Sequence, residues 1–174
     1  MNIDSSWYIR TTDVPTRIAA GGIVVRWNEN GLQVALTLEY SQDPNGVEFE
    51  ALELPKGGVE SGESLETAAR REILEETGIH SLEPLQSGVY ATEECYGLGK
   101  GIWIEITYLL YLTTQASRQP SDPKHTLVWA SLERIPELFW PEQKRILESK
   151  KDEIIRLAQP YLAQLSLAQY RTPQ

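Results

Sequence analysis

Residues 54–79, LPKGGVESGESLETAARREILEETGI, decide how the rest of the chain is read. Ser64 is placed to cap a helix, Glu66 and Thr67 occupy its first turn, and Gly78 stands just past its last, so a helix is expected over Leu65–Thr77. At 100° per residue, with Glu72 at zero, Glu76 falls at about 40° and Glu75 at about 300°, so the three carboxylates share an arc of about 100°. Leu65, Ala68 and Ala69 lie on the same arc, so a stripe that packs at the helix start turns acidic at its end. Such acids repel one another by tenths of a kcal/mol when exposed, and by more when buried, unless a cation sits among them. Gly57 and Gly58 let the backbone come close to a ligand, the chain turns at Gly62, and the helix carries the acids back toward that loop. Oxygen donors grouped in this way ask for a hard divalent cation such as Mg²⁺. Arg71, at about 260°, is placed to pair with Glu75 and fix its orientation.

Working outward, residues 18–27 (IAAGGIVVRW) and 32–40 (LQVALTLEY) read as a β-hairpin closed at NENG, and residues 47–55 as a third, short strand. Downstream, residues 85–92 (LQSGVYAT), 100–114 (KGIWIEITYLLYLTT) and 125–132 (HTLVWASL) read as further strands, separated by polar loops at 92–99 and 115–124. At the N-terminal end Trp7, Tyr8 and Ile9 are read as a short strand laid on the domain or a contact for a partner. Residues 142–159 carry Ile146, Leu147, Ile154, Ile155 and Leu157 at helical spacing, with Pro141 suited to a first turn and Pro160 expected to end or kink the helix.

Length and composition fit one globular core: 174 residues, 41% hydrophobic, without internal repeat or compositional break, read as a single domain over 1–174. A net charge of −9 argues against a broad footprint on nucleic acid or an anionic membrane, and leaves a polyphosphate ligand in need of local countercharge. Cys95 is alone, which excludes an intrachain disulfide framework and a thiolate zinc cluster. No apolar run approaches the roughly 20 residues needed to cross a bilayer, and no basic-then-apolar leader opens the sequence, so a cytoplasmic location is expected. Monomer and homodimer both stay open.

Gly57, five residues, Glu63, seven residues, then Arg71, Glu72, Ile73, any residue, Glu75, Glu76, any residue, Gly78 and Ile79 resembles a complete Nudix box, the signature of the Nudix hydrolases. Every fixed position over these 23 residues is satisfied. The resemblance, which in element order extends over about residues 17–157, implies an α/β/α sandwich with a central mixed β-sheet. It implies Mg²⁺ or Mn²⁺ held by Glu72, Glu75 and Glu76, supported by Glu63 and by the backbone carbonyl of Lys56, with Arg71 holding the acids in place. It also implies hydrolysis of a nucleoside diphosphate linked to another group, water adding to phosphorus while a carboxylate orients or deprotonates it.

Glu72 and Glu76 lead as the base, with Glu105 in reserve because it is charged inside an apolar run; Glu93 and Glu94 are further candidates from the expected loop. LPKGG with VESGE, and the later WPEQ, resemble the branch acting on diadenosine polyphosphates and on inositol or nucleoside polyphosphates. Diadenosine polyphosphates such as Ap4A are therefore the expected substrates, with ADP-ribose or nucleotide sugars, nucleoside triphosphates, and non-catalytic nucleotide sensing as alternatives. Lys56 and Lys100, with Arg10 or Lys124, are candidates for neutralising extra phosphates, and Gly57 and Gly58 for close backbone approach. Tyr96, Phe139 and Trp140 are the aromatic residues favoured for stacking on a base, over Tyr90, Trp103, Tyr108 and Trp129.

Overall fold

A computed structural model describes residues 2–169 apart from 12, 44 and 116–118, so part of the connection between the second and third expected strands and of the 115–124 loop lies outside the described residues. β1 (Thr16–Asn28) and β2 (Gly31–Gln42) form the expected hairpin, closed at the Asn28↔Gly31 pair. β3 (Glu48–Glu53) runs antiparallel to β2, and β4 (Lys56–Gly58) antiparallel to β1 through Ala19↔Gly58, Ala20↔Gly57 and Gly21↔Lys56. The box then supplies α1 (Leu65–Thr77) with the expected bounds. Ser64 accepts from the Thr67 N–H at 3.1 Å, and Gly78, at φ 73°, donates its N–H to the Leu74 carbonyl at 2.9 Å.

Beyond the helix come β5 (Glu83–Pro84), β6 (Ala91–Tyr96), β7 (Trp103–Leu112), β8 (His125–Ser131) and α2 (Pro141–Gln169). β7 pairs parallel with β1 from Thr16↔Trp103 to Val25↔Leu112, while β5 and β6 pair antiparallel with β7, and β8 antiparallel with β2. The sheet is therefore mixed. α1 packs Ala68, Ala69 and Ile73 on Ala20, Val24, Ala35, Leu109 and Tyr111, and on the other face α2 packs Ile146, Leu147 and Ile154 on Ile23, Val34, Leu36, Tyr108 and Leu110. That is the expected α/β/α sandwich. Alternation along β1 and β7 sends successive side chains to the two helices, which is why both strands read as nearly continuous apolar runs.

Three expectations need correction. Residues 85–90 do not form a strand with 91 and 92; the strand is Ala91–Tyr96 and takes up residues expected as loop. Ala91, Glu93 and Cys95 face inward and Thr92 and Glu94 outward, so a charged residue at an inward position hid the alternation. Trp7 belongs to a 3-10 turn, Ser5–Tyr8, capped by Asp4, and packs edge-on against Trp140 at 6.1 Å, so the segment is not a strand. Of the two outcomes expected at Pro160, an end to the helix is not the one seen, since α2 continues to Gln169. Among the described residues no helix is long and apolar enough to cross a membrane.

Candidate active site

The loop–helix unit brings β4 against the acidic end of α1. Arg71 sits at the centre of the acids. It bonds Glu63 in a fork, Nε to Oε1 at 3.0 Å and Nη2 to Oε2 at 2.9 Å, and reaches Glu72 Oε1 at 2.6 Å and Glu75 Oε2 at 3.4 Å through Nη1. Nη2 also donates to the Gly58 carbonyl at 2.9 Å, which ties the guanidinium to β4. The hydrogen bonds that Arg71 donates to Glu63 are the largest influence raising its pKa, and the Glu72 carboxylate adds to it. The pairing expected with Glu75 is thus the longest of Arg71's contacts with the acids, and Glu63 takes the fork geometry that planar guanidinium favours.

Glu72 presses on Gly57: a Cβ there would lie 2.2 Å from the carboxyl carbon, so a side chain at 57 would have to push the carboxylate aside. Glu76, one turn on and 7% exposed, accepts from the Lys56 N–H through Oε2 at 3.1 Å. The two glutamates therefore land on adjacent residues of the same short strand. Burial pushes the Glu76 carboxyl up to about 9 against the pull of the Lys56 ammonium, and raises Glu72 against the pull of Arg71. Among the described residues no three His, Cys, Asp or Glu side chains stand together at metal-ligand spacing. The donors that are present, two partly desolvated carboxylates beside the Lys56–Gly57 backbone with Glu63 and Glu75 held nearby by Arg71, are all oxygens and fit Mg²⁺ or Mn²⁺ completed by substrate and water.

A cleft of about 280 Å³ opens beside this point. Its polar lining includes Arg17, Lys56, Glu53, Glu76, Glu39 and His125 with Gly57 and Gly58, and its apolar lining Phe49, Leu98, Ile104, Ile106, Phe139 and Trp140. Phe139 stacks on Phe49, with ring centres 5.0 Å apart and planes 14° from parallel. The Lys56 ammonium is buried and bonds Glu53 at 2.7 Å; burial opposes its charge, but Glu53, Glu76 and Glu93 outweigh that and hold its pKa above the usual lysine value. His125 Nε2 lies 3.8 Å from Glu76 Oε1 and 3.9 Å from Glu39 Oε2.

Beneath the cleft runs a buried polar strut. Gln143 of α2 accepts from the Leu54 N–H at 2.8 Å and donates to the Tyr108 hydroxyl at 3.0 Å and to Glu93 Oε2 at 3.2 Å, while Tyr108 donates to Glu93 Oε2 at 2.8 Å. Glu93 is 2% exposed, its Oε1 has no partner among the described residues, and burial pushes its carboxyl up to about 7.

Of the residues singled out in the sequence, Lys56, Gly57, Gly58, Glu63, Glu72, Glu75, Glu76, Arg71, Phe139 and Trp140 are brought to this region. Glu105, Tyr96 and Lys100 are not. Glu105 is on the opposite face of β7 from Ile104 and Ile106, 3.4 Å from Arg10. The Tyr96 hydroxyl accepts from the Thr11 N–H at 2.8 Å, and Lys100 donates to Ser6 at 2.8 Å and lies over the Trp7 ring, so both line a separate groove. Period-2 alternation places Glu105 and Tyr96 once the register is known, while Lys100 stands in the turn between β6 and β7. Arg17, Phe49, Glu53 and His125 were not anticipated, and Gln143 entered only as part of WPEQ: Arg17 and His125 are far from the box in sequence, while Glu53, just before it and charged between Leu52 and Leu54, carried a local signal.

Residues 15–150 match the NUDIX domain family. A curated relative from Bacillus subtilis (strain 168), a putative 8-oxo-dGTP diphosphatase, is 32% identical over 102 residues, which are 58% of this chain and 63% of that protein, under two thirds of its length. The NUDIX domain of Shewanella oneidensis NrtR, solved with ADP ribose, aligns with a TM-score of 0.58 at 18% identity over 88% of this chain and 94% of that one. A C. elegans Ap4A hydrolase, solved as a binary complex, aligns with a TM-score of 0.56 at 20% identity over 78% and 97%. At such identities the likeness is one of fold alone. With residues 15–150 matched and every box position filled, the chain belongs to the NUDIX family.

Proposed function

We propose that this protein hydrolyses a phosphoanhydride bond in a dinucleoside polyphosphate, with diadenosine tetraphosphate the first compound to test. The observation that carries this reading is a pair of clefts that share two lining residues. The cleft beside Glu76 shares Glu39 and Phe49 with a second, about 800 Å³, lined also by Tyr40, Gln42, Glu48, Glu50 and Lys124. One nucleoside seated along Phe49 and Phe139 leaves its phosphate chain at the glutamates and its second nucleoside a groove to enter, where Tyr40 is exposed for stacking.

Glu72 and Glu76, with Glu63, Glu75 and the Lys56 carbonyl, would hold Mg²⁺ or Mn²⁺, which when bound neutralises charge on the anhydride oxygens. Arg71 keeps the carboxylates from splaying as they repel. One of Glu72 and Glu76 takes the proton of the attacking water as its oxygen bonds to phosphorus and the bridging P–O bond breaks. Positioning, not covalent chemistry, supplies most of the acceleration.

A second reading is favoured by the partial match to the 8-oxo-dGTP diphosphatase: a single nucleoside triphosphate confined to the smaller cleft. A panel of diadenosine polyphosphates, nucleoside triphosphates including 8-oxo-dGTP, and ADP-ribose, assayed with Mg²⁺ or Mn²⁺ and resolved by product mass, decides between them. Highest kcat/KM on a dinucleoside with four or more phosphates is expected. A preference for triphosphates overturns the first reading in favour of the second.

A further inference from the structure

We infer that Arg17 is the residue that selects for substrate phosphates beyond the pair at the scissile bond, an anchor for the phosphate chain that lies outside the box. This rests on the hydrolase reading and adds to it a determinant of chain-length preference. Arg17 is on β1 two residues before Ala19, which pairs with Gly58, and its guanidinium folds over Gly58: a Cβ on that glycine would lie 2.0 Å from Nη2 and 2.6 Å from Cζ. The absent side chain at 58 is what seats the arginine at the lip of the cleft, beside the backbone that Arg71 ties to the acids.

Charge in the cleft then singles Arg17 out. Its carboxylates are Glu39, Glu53 and Glu76, in a chain of net charge −9. Lys56, the other fixed cation of the lining, is spent on Glu53 at 2.7 Å, and His125 stands between Glu39 and Glu76. Arg17 is exposed and makes no hydrogen bond or ion pair among the described residues. A guanidinium lying over Gly58 with its five donors unspent matches a phosphate held two-pronged, and each phosphate added to the substrate needs such a partner. A two-phosphate substrate, gripped at the carboxylates, has no phosphate to offer it.

The test is steady-state kinetics of wild type, Arg17→Ala and Arg17→Lys on diadenosine di-, tri- and tetraphosphate with Mg²⁺. For Arg17→Ala the KM for the tetraphosphate is expected to rise about 10- to 100-fold, the size of a missing charge-assisted pair. Its kcat is expected to stay within about threefold and the KM for the diphosphate within about twofold, since removing an interaction made equally in the ground and transition states moves KM alone. Arg17→Lys should fall between, keeping charge and losing the fork. An equal penalty at every chain length, or a fall in kcat at unchanged KM, overturns the inference. Should wild type turn over none of these compounds, the hydrolase reading of the substrate fails separately, and calorimetric binding of inorganic tripolyphosphate with Mg²⁺ tests Arg17 on its own. Binding at least about tenfold weaker in Arg17→Ala upholds the anchor, and equal binding removes it.

Discussion

Gly57 and Glu72 define the site at the scale of single residues. The carboxyl of Glu72 occupies the space in which any larger residue 57 would place its Cβ, 2.2 Å away. Gly57→Ala must therefore displace either β4 or the carboxylate, and a shift of about 1 Å in a catalytic group costs on the order of 10²-fold in rate. That loss is expected in kcat, with the circular dichroism spectrum unchanged. Glu72→Gln and Glu76→Gln should each lower kcat by at least about 10²-fold without unfolding the protein, because each removes charge stabilisation made in the transition state and leaves volume unchanged. Wild-type kcat in either variant would detach those carboxylates from the reaction.

At the scale of elements, α1 and α2 hold the cleft from opposite faces. Ser64→Ala removes the acceptor for the Thr67 N–H and should cost about 1 kcal/mol in chemical denaturation. Gln143→Leu is a sharper test of the strut, since it leaves the buried Leu54 N–H unpaired and takes a donor from Glu93 at one stroke; about 1–3 kcal/mol is expected. No loss on Gln143→Leu would show that α2 is positioned without it. The two helices also differ in how much of them the sequence disclosed. Ser64 and Gly78 mark the bounds of α1 because caps are local chemistry. β6 escaped notice because its inward Glu93 is bonded, through one oxygen, by Tyr108 and Gln143, 15 and 50 residues away, and no local pattern records such partners. Arg17 and His125 were hidden for the same reason: the box shows where the acids are, while the residues facing them arrive through strand register.

At the scale of the whole molecule, burial of carboxyl groups couples stability to pH. Glu93 is pushed up chiefly by burial, with Lys56 pulling against it, from an ordinary 4.5 to about 7. The unfolded chain thus gives up this proton at lower pH than the folded one. Below about 4.5 Glu93 is protonated in both states and costs nothing; between about 4.5 and about 7 stability falls as pH rises, and above that the cost is constant. Its contribution should be of order 1–3 kcal/mol. Urea denaturation of wild type and Glu93→Gln at pH 5 and pH 8 isolates it from other groups: the pH 5 to pH 8 loss should be smaller in the variant by that amount. Equal losses would mean that Glu93 does not titrate in this interval.

The central claim is that the acidic end of α1, folded against Lys56 and Gly57, is a seat for the divalent cation that prepares a phosphoanhydride for water. Anomalous scattering from crystals of wild type grown with Mn²⁺ and a methylene-bridged diadenosine tetraphosphate tests it most directly. A peak within coordinating distance of Glu72 and Glu76, lost in Glu76→Gln, is expected. A map with the nucleotide bound and no Mn²⁺ at these carboxylates would contradict it.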